Sequence, residues 1–282
     1  MTVEYARQHF PALCRPRPAD SHKGSFGTVG IIGGAPGMAG AALLAGRAAL
    51  MQGAGKVKIG FVQDLPFMAD PVHPELMLER ADTLLRTGQM TVCVAGMGMG
   101  LDEKSLGLLY QIFRATLDIP LVLDADGLTL LAQGKLGAGA RNRALVLTPH
   151  PQEAARLLDC EVEEVQQGRA RAAVAISKKF DAWTVLKGHK TVICSPQGDT
   201  RTNNTGNPGL ASGGTGDVLA GMLGACLAQG VETSQAVSGA VWLHGAAADL
   251  LVNEGTGPVG LTATDVLLAA RRVRNSIVIS DA

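Results

Sequence analysis

Short apolar runs rich in Val and Ile recur along the chain, separated by longer stretches whose apolar residues return every three or four positions. "TVGIIGG" (28–34), "KVKIGF" (56–61), "TVCVAG" (91–96), "PLVLDAD" (120–126) and "ALVLT" (144–148) read as buried strands, and so do "WTVLKG" (183–188) and "TVICS" (191–195). Helical periodicity covers 39–53, 103–116, 127–134, 151–158, one longer segment near 161–180, and then 214–229, 233–252 and 262–272. Strands alternating with helices predict a mostly parallel sheet covered on both faces, a three-layer α/β domain. No repeat, low-complexity tract or linker interrupts this pattern, so residues 26–282 are expected to form one domain. Residues 1–25, with Pro11, Pro16 and Pro18, read as a lead-in arm.

In open α/β sheets ligands bind beyond the carboxyl ends of the strands, and the unusual residues of this chain fall in those loops. They are "GGAPGMAGA" (33–41), "GMGMG" (96–100), "DADGL" (124–128), "TPHPQE" (148–153), "KGHKT" (187–191) and "NPGLASGGTGDVLAG" (207–221). One such loop is ordinary punctuation by Gly and Pro. Six on the same edge point to a site.

Composition narrows what that site binds. The 25 Lys and Arg balance the 25 Asp and Glu, and aromatics are 4% of the chain, so there is no electrostatic footprint for nucleic acid or an anionic membrane. Any anion must be met by local geometry. The five cysteines, Cys14, Cys93, Cys160, Cys194 and Cys226, are scattered with no C-x-x-C pair, which suits a reducing cytosol and neither a disulfide framework nor a zinc site. The first ten residues lack the features of a signal peptide, and no apolar run approaches the roughly 18 residues of a membrane span. A cytoplasmic protein is expected.

Two familiar nucleotide motifs are excluded. "GGAPGMAG" is not G-x-G-x-x-G and no acidic residue follows a second strand to hold a ribose. Gly55-Lys56 is followed by Val57, so there is no P-loop. The stretch around Asp217 offers a different anion cradle. Gly213, Gly214 and Gly216 precede an apolar helical run, so their amides should converge at a helix N-terminus, where the dipole favours a phosphate. Asp217 then falls in the first helical turn, either as an N-cap or as a base that takes the proton of a hydroxyl attacking the phosphate. Lys187 is either a point charge at a strand end or a solvated side chain.

"NPGLASGGTGDVLAGML" and "GGAPGMAGA" resemble the two signatures of the NAD(P)H-hydrate (NAD(P)HX) dehydratase family of the ribokinase-like superfamily. The resemblance runs from about Lys23 to Arg272, with "LDADGL", "LTPHPQEAARLL", "VLKGHKTVI" and "WLHGAAADL" in the family's order. It implies a three-layer α/β/α ribokinase-like fold and a repair enzyme that phosphorylates the hydroxyl of hydrated NADH or NADPH, with ADP or ATP as donor, before phosphate loss restores the dihydronicotinamide. Asp217 would be the base, and Gly213, Gly214, Thr215 and Gly216 would hold the transferring phosphoryl group. Lys187, Gly188, His189, Lys190 and Thr191 would bind the AMP portion. Ala41 or Ala42, Gly98, Gly100 and His150, with Asp217, would contact the hydrate.

The resemblance also implies Mg²⁺, with Glu153 acting on it through water, although a glutamate in a first helical turn needs no metal. His150 has the competing reading of capping the helix that starts at Pro151. Asp124 and Asp126 either line the site or cap the following helix, the second being favoured for Asp126. Met97 stands where relatives often carry proline, so the 96–100 loop is expected to be looser. Relatives commonly form tetramers, for which a surface helix such as 233–252 could pair. Two dozen lead-in residues leave no room for the epimerase domain that many bacterial members carry, so that activity is expected from a separate protein. The alternatives are a ribokinase-like kinase for a small alcohol such as hydroxyethylthiazole or hydroxymethylpyrimidine, whose phosphorylated product would be stable, and a nucleotide-binding regulator.

Overall fold

The computed structural model describes residues 3–116, 118–134 and 144–278. The first two residues of the expected arm and the last four of the expected domain lie outside these. The chain opens with α1 (Val3–His9) and two short 3-10 turns, then β1 (Thr28–Gly33), α2 (Ala39–Met51), β2 (Lys56–Phe61), β3 (Met77–Arg80), α3 (Ala81–Thr87) and β4 (Val92–Ala95). It continues through α4 (Glu103–Ala115), β5 (Leu121–Leu123), α5 (Asp126–Ala132), β6 (Leu145–Leu147), α6 (Pro151–Leu158), α7 (Val162–Gln167) and α8 (Arg169–Phe180). Last come β7 (Trp183–Leu186), β8 (Val192–Cys194), β9 (Thr200–Thr202), α9 (Thr215–Ala228), α10 (Thr233–Asn253) and α11 (Ala263–Ser276).

The strands form one sheet in the order β3-β2-β1-β4-β5-β6-β7-β8-β9, parallel from β3 to β7 and antiparallel at β7–β8 and β8–β9. Side chains alternate between its faces. Val29 and Ile31 of β1 join the core beneath α2, α9, α10 and α11, whereas Ile32 joins the core beneath α3 to α8. This is the expected three-layer α/β/α architecture.

Helix α9 is the buried keystone of the first layer. Its glycines cost roughly 1 kcal/mol each against alanine in a helix, yet they permit contacts no side chain would. A Cβ at Gly221 would stand 2.0 Å from the carbonyl oxygen of Ala45 in α2, and one at Gly224 would stand 2.4 Å from Cγ2 of Val94 in β4.

Four expectations change. The long helix near 161–180 is two helices meeting at Gly168, where φ of −138° and ψ of 50° depart from helical geometry. The strand read at 183–188 joins the parallel set beside β6, but the one read at 191–195 turns back on it as an antiparallel hairpin partner. Elements β3, α3 and β9 arise in segments read as connections, and α1 lies within the arm. Helix α10 is mostly buried, from Ala236 to Leu251, so the surface helix proposed for pairing is largely a core element.

Candidate active site

The sheet order reverses at β1, which has β2 on one side and β4 on the other, and an open α/β sheet forms its crevice at such a switch. The loops leaving β1 and β4 are tied together there. Gly34 donates its N–H to the Met97 carbonyl at 3.0 Å, and Ala35 donates to that of Gly98 at 2.6 Å. Gly98 and Gly100 hold φ of 55° and 84°, left-handed values that glycine adopts readily. Gly100 donates its N–H to Asp126 Oδ2 at 2.8 Å. Met97 is fully buried. The expected looseness of this loop is therefore corrected, because packing and hydrogen bonds replace the missing proline ring. Asp126 is corrected with it: the N-cap of α5 is Ala125, and no side chain caps it.

A Cβ on Gly98 would meet that of Met38 at 2.7 Å and that of Ala41 at 3.3 Å, so Gly98 and Ala41 pack directly together. Ala41 is partly exposed, while Ala42 is fully buried against Gly34. Of the two alanines, Ala41 is the one a ligand can reach.

The loops after β5, β6 and β7 meet across the crevice. Lys187 donates its backbone N–H to the Pro149 carbonyl at 2.8 Å and its Nζ to Asp124 Oδ1 at 2.6 Å. Asp124 is also held by the N–H of Ala125 at 2.9 Å. Pro149 leads into His150, which caps α6. His150 Nδ1 accepts from the N–H groups of Gln152 and Glu153, and Glu153 Oε2 accepts from the N–H of His150 at 2.7 Å. The capping reading of His150 thus holds. Its Nε2 stands 3.3 Å from Glu153 Oε1.

Gly214, at φ of 89°, is the N-cap of α9 and uses no side chain to do it. Asp217 is therefore not the cap; it sits in the first turn. The Thr215 hydroxyl donates to the carbonyls of Leu210 at 2.8 Å and Ser212 at 2.9 Å, which pins the glycine turn. The Thr215 N–H turns back to the Ser212 carbonyl at 3.4 Å, and since the first amides of a helix have no intrahelical acceptor, Gly213, Gly214 and Gly216 are the candidate donors of the turn.

Lys187 faces three carboxylates, those of Asp124, Glu153 and Asp217. Burial pushes the ammonium pKa down, but these three outweigh it and the group is held above its ordinary value. Burial, and then the charge of Asp124, raises Asp217 to about 7. Burial likewise raises Glu153 to about 7. His150 is lowered by burial and by Lys187. A carboxyl poised near neutrality inside a cleft is suited to accept a proton there.

A cavity of about 570 Å³ opens beside this cluster. It is lined by the whole turn from Lys187 to Thr191, by Thr215 and Gly216, and by Asn203, Thr205, Asn207 and His244. The last four were not singled out from the sequence. "TNNTGNP" (202–208) carries a polar signal, three asparagines between a strand and a proline. Asp249 organises it, accepting from the Gly206 N–H at 2.9 Å and the Asn207 amide at 3.1 Å. His244 reads as a helix interior residue. Burial holds its pKa at about 4, so the ring is neutral. Its Nε2 donates to the Thr215 carbonyl at 2.9 Å.

The residues present do not form a direct cage for Mg²⁺. No group of three or more His, Cys, Asp or Glu side chains arranged for a metal occurs among the described residues. Glu153 directs both oxygens to His150, and Asp124 is paired with Lys187. Mg²⁺ commonly binds through substrate phosphates and water with few protein ligands.

The chain matches the family model described as NAD(P)H-hydrate dehydratase over residues 29–271. It is 45% identical over 273 residues to the ADP-dependent (S)-NAD(P)H-hydrate dehydratase of Neisseria meningitidis serogroup B, covering 95% of this chain and 92% of that protein. A bifunctional NAD(P)H-hydrate repair enzyme of Coxiella burnetii is 40% identical over 91% of this chain, which spans about half of that relative's length, 52%. The crystal structure of the ADP/ATP-dependent NAD(P)H-hydrate dehydratase of Bacillus subtilis, co-crystallised with ATP and Mg²⁺, superposes with a TM-score of 0.86 at 34% identity, covering 98% of this chain and 97% of the other.

Proposed function

The chain belongs to the NAD(P)H-hydrate dehydratase family, and on that footing we propose that it dehydrates NADHX and NADPHX back to NADH and NADPH at the expense of ADP, which becomes AMP and phosphate. Residues 26–282 act as one catalytic domain. The observation that carries this reading is the placement of Asp217 between the glycine turn of α9 and the Lys187–Asp124 pair, with a nucleotide-sized cavity alongside.

Hydroxide is a poor leaving group and phosphate a good one, so the hydroxyl is phosphorylated first. Its proton passes to Asp217 as its oxygen bonds to the terminal phosphorus, and AMP leaves with the electron pair of the broken phosphorus–oxygen bond. Amides of Gly213, Gly214 and Gly216 stabilise the charge on the transferring group. Phosphate then departs with the electrons of the carbon–oxygen bond, and the neighbouring carbon releases a proton to restore the double bond. Lys187 to Thr191 hold the AMP portion, with Asn203, Asn207 and His244 completing the cavity. Ala41, Gly98, Gly100 and the exposed edge of His150 receive the hydrate, and Ala42 supports Ala41 from below. Mg²⁺ would arrive with the nucleotide's phosphates, where Glu153 could reach it only through water.

The bifunctional relatives support a functional link to an epimerase that interconverts the hydrate epimers, here proposed as a separate partner. Residence in the cytoplasm as a homo-oligomer belongs to the same reading; no helix among the described residues is long and apolar enough to cross a membrane. The test mixes the protein, Mg²⁺ and fresh NADHX with ADP or with ATP and follows dihydronicotinamide absorbance. Recovery with phosphate release is expected, with ADP the better donor. No recovery with either nucleotide would sink the proposal, and a stable phosphorylated product would turn it toward the small-alcohol kinase.

A further inference from the structure

A second cavity, of about 550 Å³, lies at the opposite edge of the sheet, where the lead-in arm crosses the carboxyl ends of α2, α9 and α11. Arg15, Arg17, Arg271 and Arg274 line it, and among the described residues no carboxylate does. Among the described residues none of these four arginines is in an ion pair; the neighbouring Arg272 is the one that meets Glu254.

One of the guanidiniums is fixed in place, and a second is partly buried. Arg17 lies 3.7 Å above the centre of the Phe26 ring and donates Nη2 to the Gly53 carbonyl at 2.5 Å. Gly53 holds φ of 94°, and a side chain there would overlap the guanidinium. Arg274 is partly buried, and its Nη1 has no hydrogen-bond partner. Gln52, 3% exposed and on the same lining, has neither amide atom paired. Burial lowers the pKa of both Arg17 and Arg274, and the charge of Arg274 lowers that of Arg17 further. Like charges held close repel, the partial negative charges of the three helix carboxyl ends offset only part of this, and a bound anion removes the remainder. Planar guanidinium forks match phosphoryl oxygens, and a cavity of this size admits a carrier as large as a mononucleotide.

We infer that this cavity is a second anion site, which takes a phosphorylated small molecule with its phosphoryl group between Arg17 and Arg274. It is separate from the catalytic crevice. Gln229, just past the end of α9, lines it, and Asp217 stands in the first turn of the same helix, about 20 Å away at 1.5 Å per residue.

Hydrogen exchange on the full chain, with inorganic phosphate in one arm and AMP in the other, tests the site. Protection of amides at 226–231 and 271–278 is expected. Arg17→Gln should weaken it about tenfold, as losing one charge-assisted contact does, with protection at 187–191 unchanged. Tighter binding of AMP identifies an organic carrier, and equal binding identifies the free ion. Arg274→Gln, which removes the other guanidinium that holds the phosphoryl group, repeats the experiment should Arg17→Gln lose its fold. Absence of protection with both ligands overturns the inference, as does equal protection in the variants. It also fails if protection arises only in a chain ended at Val278, since the residues that follow, Asp281 among them, would then be the natural occupant.

Discussion

Lys187 and Asp124 meet at 2.6 Å from the ends of β7 and β5, two strands that are not neighbours, so the pair bridges the end of β6 between them. The Asp124 side chain is 2% exposed, and it depends on this lysine for compensation. Removing one partner of a buried pair leaves an unpaired charge, at a cost of about 3 kcal/mol. Lys187→Met should show that loss in urea melts and weaken nucleotide binding; adding Asp124→Asn should return much of the stability and none of the affinity. Equal stability of the single and double variants would show that the pair is solvated.

Asp217→Asn keeps the shape of the first turn of α9 and removes the proton acceptor. Turnover should fall roughly 10²–10⁴-fold, the usual contribution of a positioned base, while calorimetry gives a nucleotide affinity close to that of the unaltered chain. Parallel loss of both would move Asp217 from chemistry to structure.

The pH profile follows from the carboxyls near neutrality. Asp217 must be ionised to accept a proton, and burial with Asp124 raises it to about 7, so kcat/KM should fall as pH drops below about 7. Glu153, raised to about 7 by burial, titrates in the same range. Asp124→Asn removes a negative neighbour and frees Lys187, both of which favour ionised Asp217. The midpoint should move to lower pH, and a midpoint that stays or rises would exclude Asp217 as the group observed.

Asp126 acts through the main chain of the 96–100 loop, holding the Gly100 N–H at 2.8 Å. Asp126→Ala frees that turn. We expect KM for the hydrate to rise about tenfold, as for one lost hydrogen bond to a charged group, with KM for the nucleotide little changed. A matching rise for the nucleotide would show that the whole crevice had loosened.

The parallel strands other than β3 were legible because Val- and Ile-rich runs end at Gly, Asp or Pro, and Asp217 and the 187–191 turn stood out through glycine, charge and a strand end. What escaped depends on contacts between distant segments. Nothing local to His244 says that its ring reaches the Thr215 carbonyl 29 residues away, and Asp126 looks like a cap until the 96–100 loop folds over it. The break at Gly168 was hidden by unbroken apolar periodicity on both sides. Met97 misled because proline's fixed φ is a local cue, whereas the packing that replaces it is not.

Helix α9 limits how far this chain can wander in sequence. Gly221 is opposed by the main-chain oxygen of Ala45 and Gly224 by the branched side chain of Val94, so the first obstruction cannot rotate aside and the second is locked in the sheet. Gly107, also inside a helix, has nothing within 4 Å and is free to become alanine. Mutational tolerance is thus low along the rod that presents Asp217, at positions that touch no ligand, and a library built only around the crevice would miss residues that hold the crevice in place.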